Sequence, residues 1–202
     1  VPDTIDFYFD FLSPFSHLAR GELVGIAERH DCNIAWHAVD LTVLKKAVGN
    51  TGPGNRDMPV KLAYMKVDIM RWAAEYAVPL SWVGNYASRQ MNIGNLYARA
   101  RGAEAAYVRD GFHAGWGSGG KLDDPEVLRG LARAQGWDAD DFMLYIASPG
   151  AAVAYEAETA AAVARGVFGV PTMMVGGEMW WGNDRLFMLG KHLAARNAAQ
   201  GK

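Results

Sequence analysis

Residues 5–16 read Ile5-Asp6-Phe7-Tyr8-Phe9-Asp10-Phe11-Leu12-Ser13-Pro14-Phe15-Ser16, and the fold is decided here. From Ile5 to Phe11, apolar and polar side chains alternate with heavy aromatic weight, the period-2 pattern of a strand. Ser13-Pro14 interrupts it. Serine as N-cap with proline at the first helical position is a favoured helix opening, because the hydroxyl accepts a backbone N–H and proline has none to satisfy. Leu18, Leu23 and Ile26 carry that helix to about His30, and Asn33 to Val39 alternates again. Strand, helix and strand in forty residues imply a right-handed crossover between parallel neighbours.

Outward from this unit the character changes. Asn50 to Arg56 is rich in glycine and turn formers and reads as an exposed loop. Lys61 to Tyr76, and then Gly94 to Phe112, are helical in period, the second ended by the glycines between Gly115 and Gly120. Asp124-Pro125-Glu126 has the cap, proline and acidic first turn of another helix. Asp138 opens a further one, and the alanine-rich run after Pro149 reaches Arg165. The tail returns to strands: Val170-Pro171-Thr172 precedes a short apolar run, and Gly176-Gly177 is two-residue hairpin chemistry. Asn183-Asp184 is read as the cap of a last helix. This order predicts an α/β fold: a thioredoxin-like core (1–40 and 166–202) with a large all-helical insertion (41–165).

Composition narrows function. The chain has 202 residues, half of them hydrophobic, and a net charge of −2 without a Lys/Arg cluster. It therefore lacks the electrostatic footprint for nucleic acid or anionic lipid, and no stretch is long enough to span a bilayer. Cys32 is the single cysteine, so no internal disulfide and no multi-cysteine zinc site can form. His17, His30, His37, His113 and His192 have no metal-like spacing. The start of the chain has no leader-like pattern, and the expected address is the cytoplasm. Seven Trp and eight Tyr are enough to line an aromatic site as well as fill a core.

In a thioredoxin-like redox protein, the Ser13-Pro14-Phe15-Ser16 position holds Cys-x-x-Cys, where the helix N-terminus stabilises a thiolate. Here hydroxyls replace both sulfurs. The anion-favouring environment survives, and Ser13 can donate to a thiolate that something else supplies. A free thiol of pKa about 8.5 is only roughly 3% ionised at pH 7. Stabilisation by about 2.7 kcal/mol lowers that pKa by about two units and makes the thiolate the main form. The plainer reading, Ser13 as an N-cap alone, stands beside this one. Val170-Pro171 lies where the fold places a cis-proline facing the active helix, against the ordinary reading of a trans proline entering an edge strand.

Taken together, Phe7 to Ser16, Val170-Pro171 and Trp180-Trp181-Gly182-Asn183-Asp184-Arg185-Leu186-Phe187 resemble the 2-hydroxychromene-2-carboxylate isomerase family. Gly52 to Arg56, Val60 to Asp68 and Met91-Asn92-Ile93-Gly94 fit the same pattern, so the resemblance runs nearly from end to end. It is related to kappa-class glutathione transferases. The resemblance implies glutathione-dependent cis–trans isomerisation of a small aromatic carboxylate in naphthalene-type catabolism, by a homodimer. It implies that Ser13 is catalytic and that Val170, Trp181, Asn183 and Asp184 join Ser13 in holding glutathione. Lys45, Asn55, Arg56 and Tyr86 would meet the substrate. A kappa-like transferase and a non-catalytic glutathione-binding module are the alternatives.

Overall fold

A computed structural model describes residues 3–199. The quoted segment forms strand β1 (Asp3–Phe9) and helix α1 (Pro14–Arg29), followed by β2 (Cys32–Ala38). β1 and β2 are parallel, with Phe7 opposite Trp36. After a long helical segment come β3 (Thr172–Val175) and β4 (Glu178–Trp181). β3 runs antiparallel to β1, with Phe7 opposite Met173, and β4 antiparallel to β3, giving the order β2-β1-β3-β4. The hairpin turn is Gly176-Gly177, both at positive φ (58° and 94°), as a two-residue primed turn requires. The Val170–Pro171 peptide is cis.

The helical segment holds α2 (Leu41–Ala47), α3 (Pro59–Glu75), α4 (Arg89–Arg99), α5 (Glu104–Phe112), α6 (Pro125–Ala134), α7 (Ala139–Ile146) and α8 (Pro149–Ala164); α9 (Leu186–Ala199) ends the described chain. The expected helix from Gly94 to Phe112 is two helices. Gly102, at φ 64°, takes the left-handed conformation that stops α4 and lets the chain turn into α5. Beyond Phe112 a single π-helical turn, His113–Gly117, precedes the glycine loop. Helix α2 has no counterpart in the sequence reading: seven residues are too few for a helical period to stand out. It forms because Asp40 caps it, accepting from the Thr42 and Val43 N–H groups.

Ile5, Phe7 and Phe9 point to one side of β1, where one buried cluster joins them to Leu23 of α1 and to Tyr107, Phe112 and Phe142 of the helical segment. Two smaller clusters hold the helices that wall the site: Leu44 of α2 packs with Tyr8 and Val170, and Ile69 of α3 packs with Leu18 of α1.

Candidate active site

Ser13 lies at the β1–α1 junction, only 4% exposed, and three hydrogen bonds define it. Its N–H donates to Asp10 O (2.9 Å), its Oγ accepts from Ser16 N–H (3.2 Å), and its carbonyl accepts from His17 N–H (3.2 Å). It is therefore the N-cap of α1, with Pro14 at the first helical position. Capping and chemistry are compatible here. A hydroxyl that accepts from an N–H still has its own proton to donate, in the partial positive field of the helix start.

Asp10 holds this turn from below. Its carboxylate is fully buried, and it accepts from Leu12 N–H (3.1 Å), Leu41 N–H (3.1 Å), Ser88 Oγ–H (2.6 Å) and the Asn92 amide (2.8 Å). Burial pushes its pKa up, against the opposing pull of Ser88 and Asn92. One side chain thereby ties the Ser13 turn to the first residue of α2 and to the start of α4.

Facing the Ser13 turn is a cavity of about 430 Å3. Gly169 and Val170, just before β3, form one wall, with Trp181 of β4 beside them and its ring against Phe168 (4.9 Å). Lys45 of α2, Asn55 and Lys66 of α3 line another. Trp82, Tyr86 and Trp116 supply an aromatic side, with Trp116 fixed by donating to Phe11 O at 2.8 Å. Among the described residues, the wall carries two lysines against one carboxylate, Asp57, whose Oδ2 is engaged by Gly54 N–H (2.8 Å). An apolar pocket with a few convergent polar groups and an excess of positive charge suits an aromatic anion.

Of the residues singled out from sequence, Ser13, Lys45, Asn55, Tyr86, Val170 and Trp181 all line this cavity. Asn183 and Asp184 do not. The Arg56 side chain lies outside the described residues. Nor do Asn183 and Asp184 cap α9: they form a 3-10 turn, Asn183–Arg185, which follows Gly182 at φ 105° and has no side-chain cap. Asp184 pairs with its neighbour Arg185 instead. Asn183 is buried, its carbonyl accepting from Tyr76 O–H (3.0 Å) and its Nδ2 without a partner. Lys66, Trp82, Trp116 and Phe168 escaped the sequence reading, because they come from separate segments; the surplus of aromatic residues was their only signal.

Cys32 is at the start of β2 and does not line the cavity. No group of three or more metal-ligating side chains occurs among the described residues, and no helix there is long and apolar enough to cross a membrane.

Comparison with known proteins gives the fold and the family. The DSBA-like thioredoxin domain matches residues 4–194. A 2-hydroxychromene-2-carboxylate isomerase of Pseudomonas putida is 50% identical over 185 residues, covering 92% of this chain and 91% of that protein. The solved structure of a 2-hydroxychromene-2-carboxylate isomerase superposes with a TM-score of 0.93 at 47% identity, covering 98% of this chain and 99% of that one. Human glutathione S-transferase kappa 1 is 25% identical over 205 residues, covering 94% of this chain and 90% of that protein. On this identity and coverage, the chain belongs to the 2-hydroxychromene-2-carboxylate isomerase family and is an isomerase.

Proposed function

We propose that this isomerase interconverts 2-hydroxychromene-2-carboxylate and trans-o-hydroxybenzylidenepyruvate with the help of glutathione, in naphthalene-type aromatic catabolism in the cytoplasm. The observation that carries the reading is the place of Ser13: a hydroxyl at a helix N-terminus, opening on a cavity whose described lining includes no cysteine thiol. The residues fit a thiol-bearing peptide. A donor stands where a thiolate is best stabilised, and Gly169 and Val170 line the same cavity.

When bound, glutathione supplies a sulfur nucleophile whose reversible addition makes the substrate's double bond transiently single and free to rotate. The protein does the rest. The Ser13 O–H donates toward the sulfur and, with the α1 terminus, favours the thiolate. Val170 pairs with the peptide backbone, and Trp181 covers it. Asn183 and Asp184, which follow Trp181 in the chain but stay outside the cavity lining, would meet its far end only where it extends beyond the cavity. Lys45 holds the substrate carboxylate and opposes the negative charge that builds on the adjacent carbonyl. Asn55 and Tyr86 line that side too, and the proposal gives Arg56 a substrate contact as well. A homodimer is part of the proposal: Val60, Tyr64, Val67 and Met70 leave an exposed apolar stripe on α3, which a second copy can cover. Sedimentation equilibrium of the wild type and Tyr64→Glu tests this, with a monomeric wild type as the adverse result.

The decisive experiment measures turnover with and without glutathione, in the wild type and Ser13→Ala. The expected result is dependence on the thiol and a loss of about 10²–10³ in kcat for the variant, the cost of removing one preorganised donor. Full wild-type turnover in glutathione-free buffer overturns the reading. The kinship with a kappa-class transferase favours a second reading, in which a conjugate is released. Mass spectrometry separates the two, since transfer accumulates an adduct and isomerisation returns the substrate's own mass.

A further inference from the structure

The cavity holds a second ammonium that the roles above leave unused. Lys66 comes from the middle of α3, whereas Lys45 belongs to the last turn of α2, and both line the same space. Lys66 Nζ lies over the Trp82 ring, 5.8 Å from its centroid. Trp82 in turn meets Trp116 edge-on (6.1 Å), and Tyr86 packs against the same indole (6.2 Å). Among the described residues neither lysine is ion-paired, while the chain's other cations near a carboxylate are spoken for: Arg99 by Glu104 and Glu158, Arg165 by Asp6, Arg196 by Asp3.

Two unpaired cations from different helices, one of them seated over an indole of the aromatic side, call for a ligand with two anionic or acidic oxygens on a flat aromatic frame. A ring that stacks among Trp82, Tyr86 and Trp116 puts its own substituent within the reach of Lys66, while the carboxylate end goes to Lys45. We propose that Lys66 is a specificity residue which recognises an ortho-hydroxyl oxygen on the aromatic ring and favours its phenolate form, so that the site selects hydroxyaryl acids over plain aryl acids. This rests on the aromatic-carboxylate reading of the site but not on glutathione. An ammonium beside the phenol stabilises the ionised form, as any cation does for a neighbouring acid. In a ring-closing and ring-opening substrate, holding the oxygen as phenolate keeps the open form available for rotation.

The test uses unreactive probes without glutathione: trans-o-hydroxycinnamate and trans-cinnamate, titrated against intrinsic tryptophan fluorescence. Wild type is expected to bind the hydroxy acid about tenfold more tightly, the worth of one charge-assisted hydrogen bond. In Lys66→Met, an exposed helix position that methionine tolerates, that preference falls to about one while cinnamate affinity is unchanged. The phenolate absorption band adds a spectroscopic readout. Bound o-hydroxycinnamate should ionise at least about one pH unit below its free value in wild type but not in Lys66→Met. Lys45→Met should weaken both acids alike. If both probes bind wild type equally, or if Lys66→Met keeps the preference and the shifted band, the inference fails while the carboxylate site stands. If neither probe binds wild type, both fail together.

Discussion

Two polar regions flank the same strand, and they are built on opposite terms. On the face of β1 away from Phe7 and Phe9, His37 sits between Asp6 (2.9 Å) and Glu158 (3.3 Å), Arg99 holds Glu158 (2.8 Å), and Arg165 holds Asp6 (2.8 Å). Every charge there has a partner of opposite sign. At the end of the strand, around Ser13, the charges that line the cavity are left over: Lys45 and Lys66 face open space, and the Ser13 hydroxyl keeps a proton to give. Saturated charges weld α8 to the sheet. Unsaturated ones are what a ligand can use.

The sharpest way to break this contrast is to supply the cavity with a negative charge of its own. Ser13→Asp retains a good N-cap acceptor for the Ser16 N–H, so stability should change by less than about 1 kcal/mol. The carboxylate would nonetheless stand where a thiolate is wanted. Turnover should fall by about 10³ or more, below Ser13→Ala, because the variant adds repulsion to the lost donor. Thermal melts beside steady-state rates check it. A variant as active as wild type would reduce Ser13 to a cap.

The next effect belongs to the saturated side. Burial raises the Glu158 carboxyl, but hydrogen bonds from His37 and Arg99 outweigh it and hold it down to about 2, against an ordinary 4.5. A depressed acid contributes stability that is fully present above its unfolded value and is lost as pH falls through its folded one. Between about pH 4.5 and 2, this group should therefore withdraw roughly 2–3 kcal/mol. His37 runs the other way. Burial lowers it, yet the Glu158 and Asp6 hydrogen bonds raise it overall, so its share is present at low pH and fades as pH rises through its elevated value. Urea midpoints across pH for wild type and Glu158→Gln test the clamp. The variant should be less stable at pH 7, lack the Glu158 part of the acid loss, and keep its turnover at 25 °C.

The two regions were not equally readable in the sequence. Ser13-Pro14, Asp124-Pro125 and Gly176-Gly177 each carry their local physics in adjacent residues, and each produced the expected structure. Asn183-Asp184 looked equally cap-like. Gly182 at φ 105° turned the chain into a 3-10 start instead, and the acid found Arg185 next door. Features made across distance left no mark. Asp10 joins Leu12, Leu41, Ser88 and Asn92 from three segments, and the His37 cluster spans 121 residues between His37 and Glu158. Lys66 reads as one more solvated lysine until the fold brings Trp82 under it.

The smallest effect separates a ligand contact from ordinary helix chemistry. Lys45 and Lys46 both occupy the last turn of α2, where a cation offsets the helix's negative end by a few tenths of a kcal/mol. On that ground alone the two are interchangeable. They differ in address, since Lys45 lines the cavity and Lys46 does not. Lys45→Met and Lys46→Met should therefore lower the melting temperature equally and slightly, while only the first affects the reaction. Losing one ammonium–carboxylate contact is worth about 1.5 kcal/mol, or roughly tenfold in kcat/KM. If Lys45 grips the carboxylate in the ground and transition states alike, the tenfold falls on KM with kcat unchanged; a fall in kcat instead assigns the ammonium to the charge that develops during rotation. Equal kinetic losses in the two variants would mean that the cavity reads only the general field at the end of α2, and the contrast between welded and available charge would lose its clearest example.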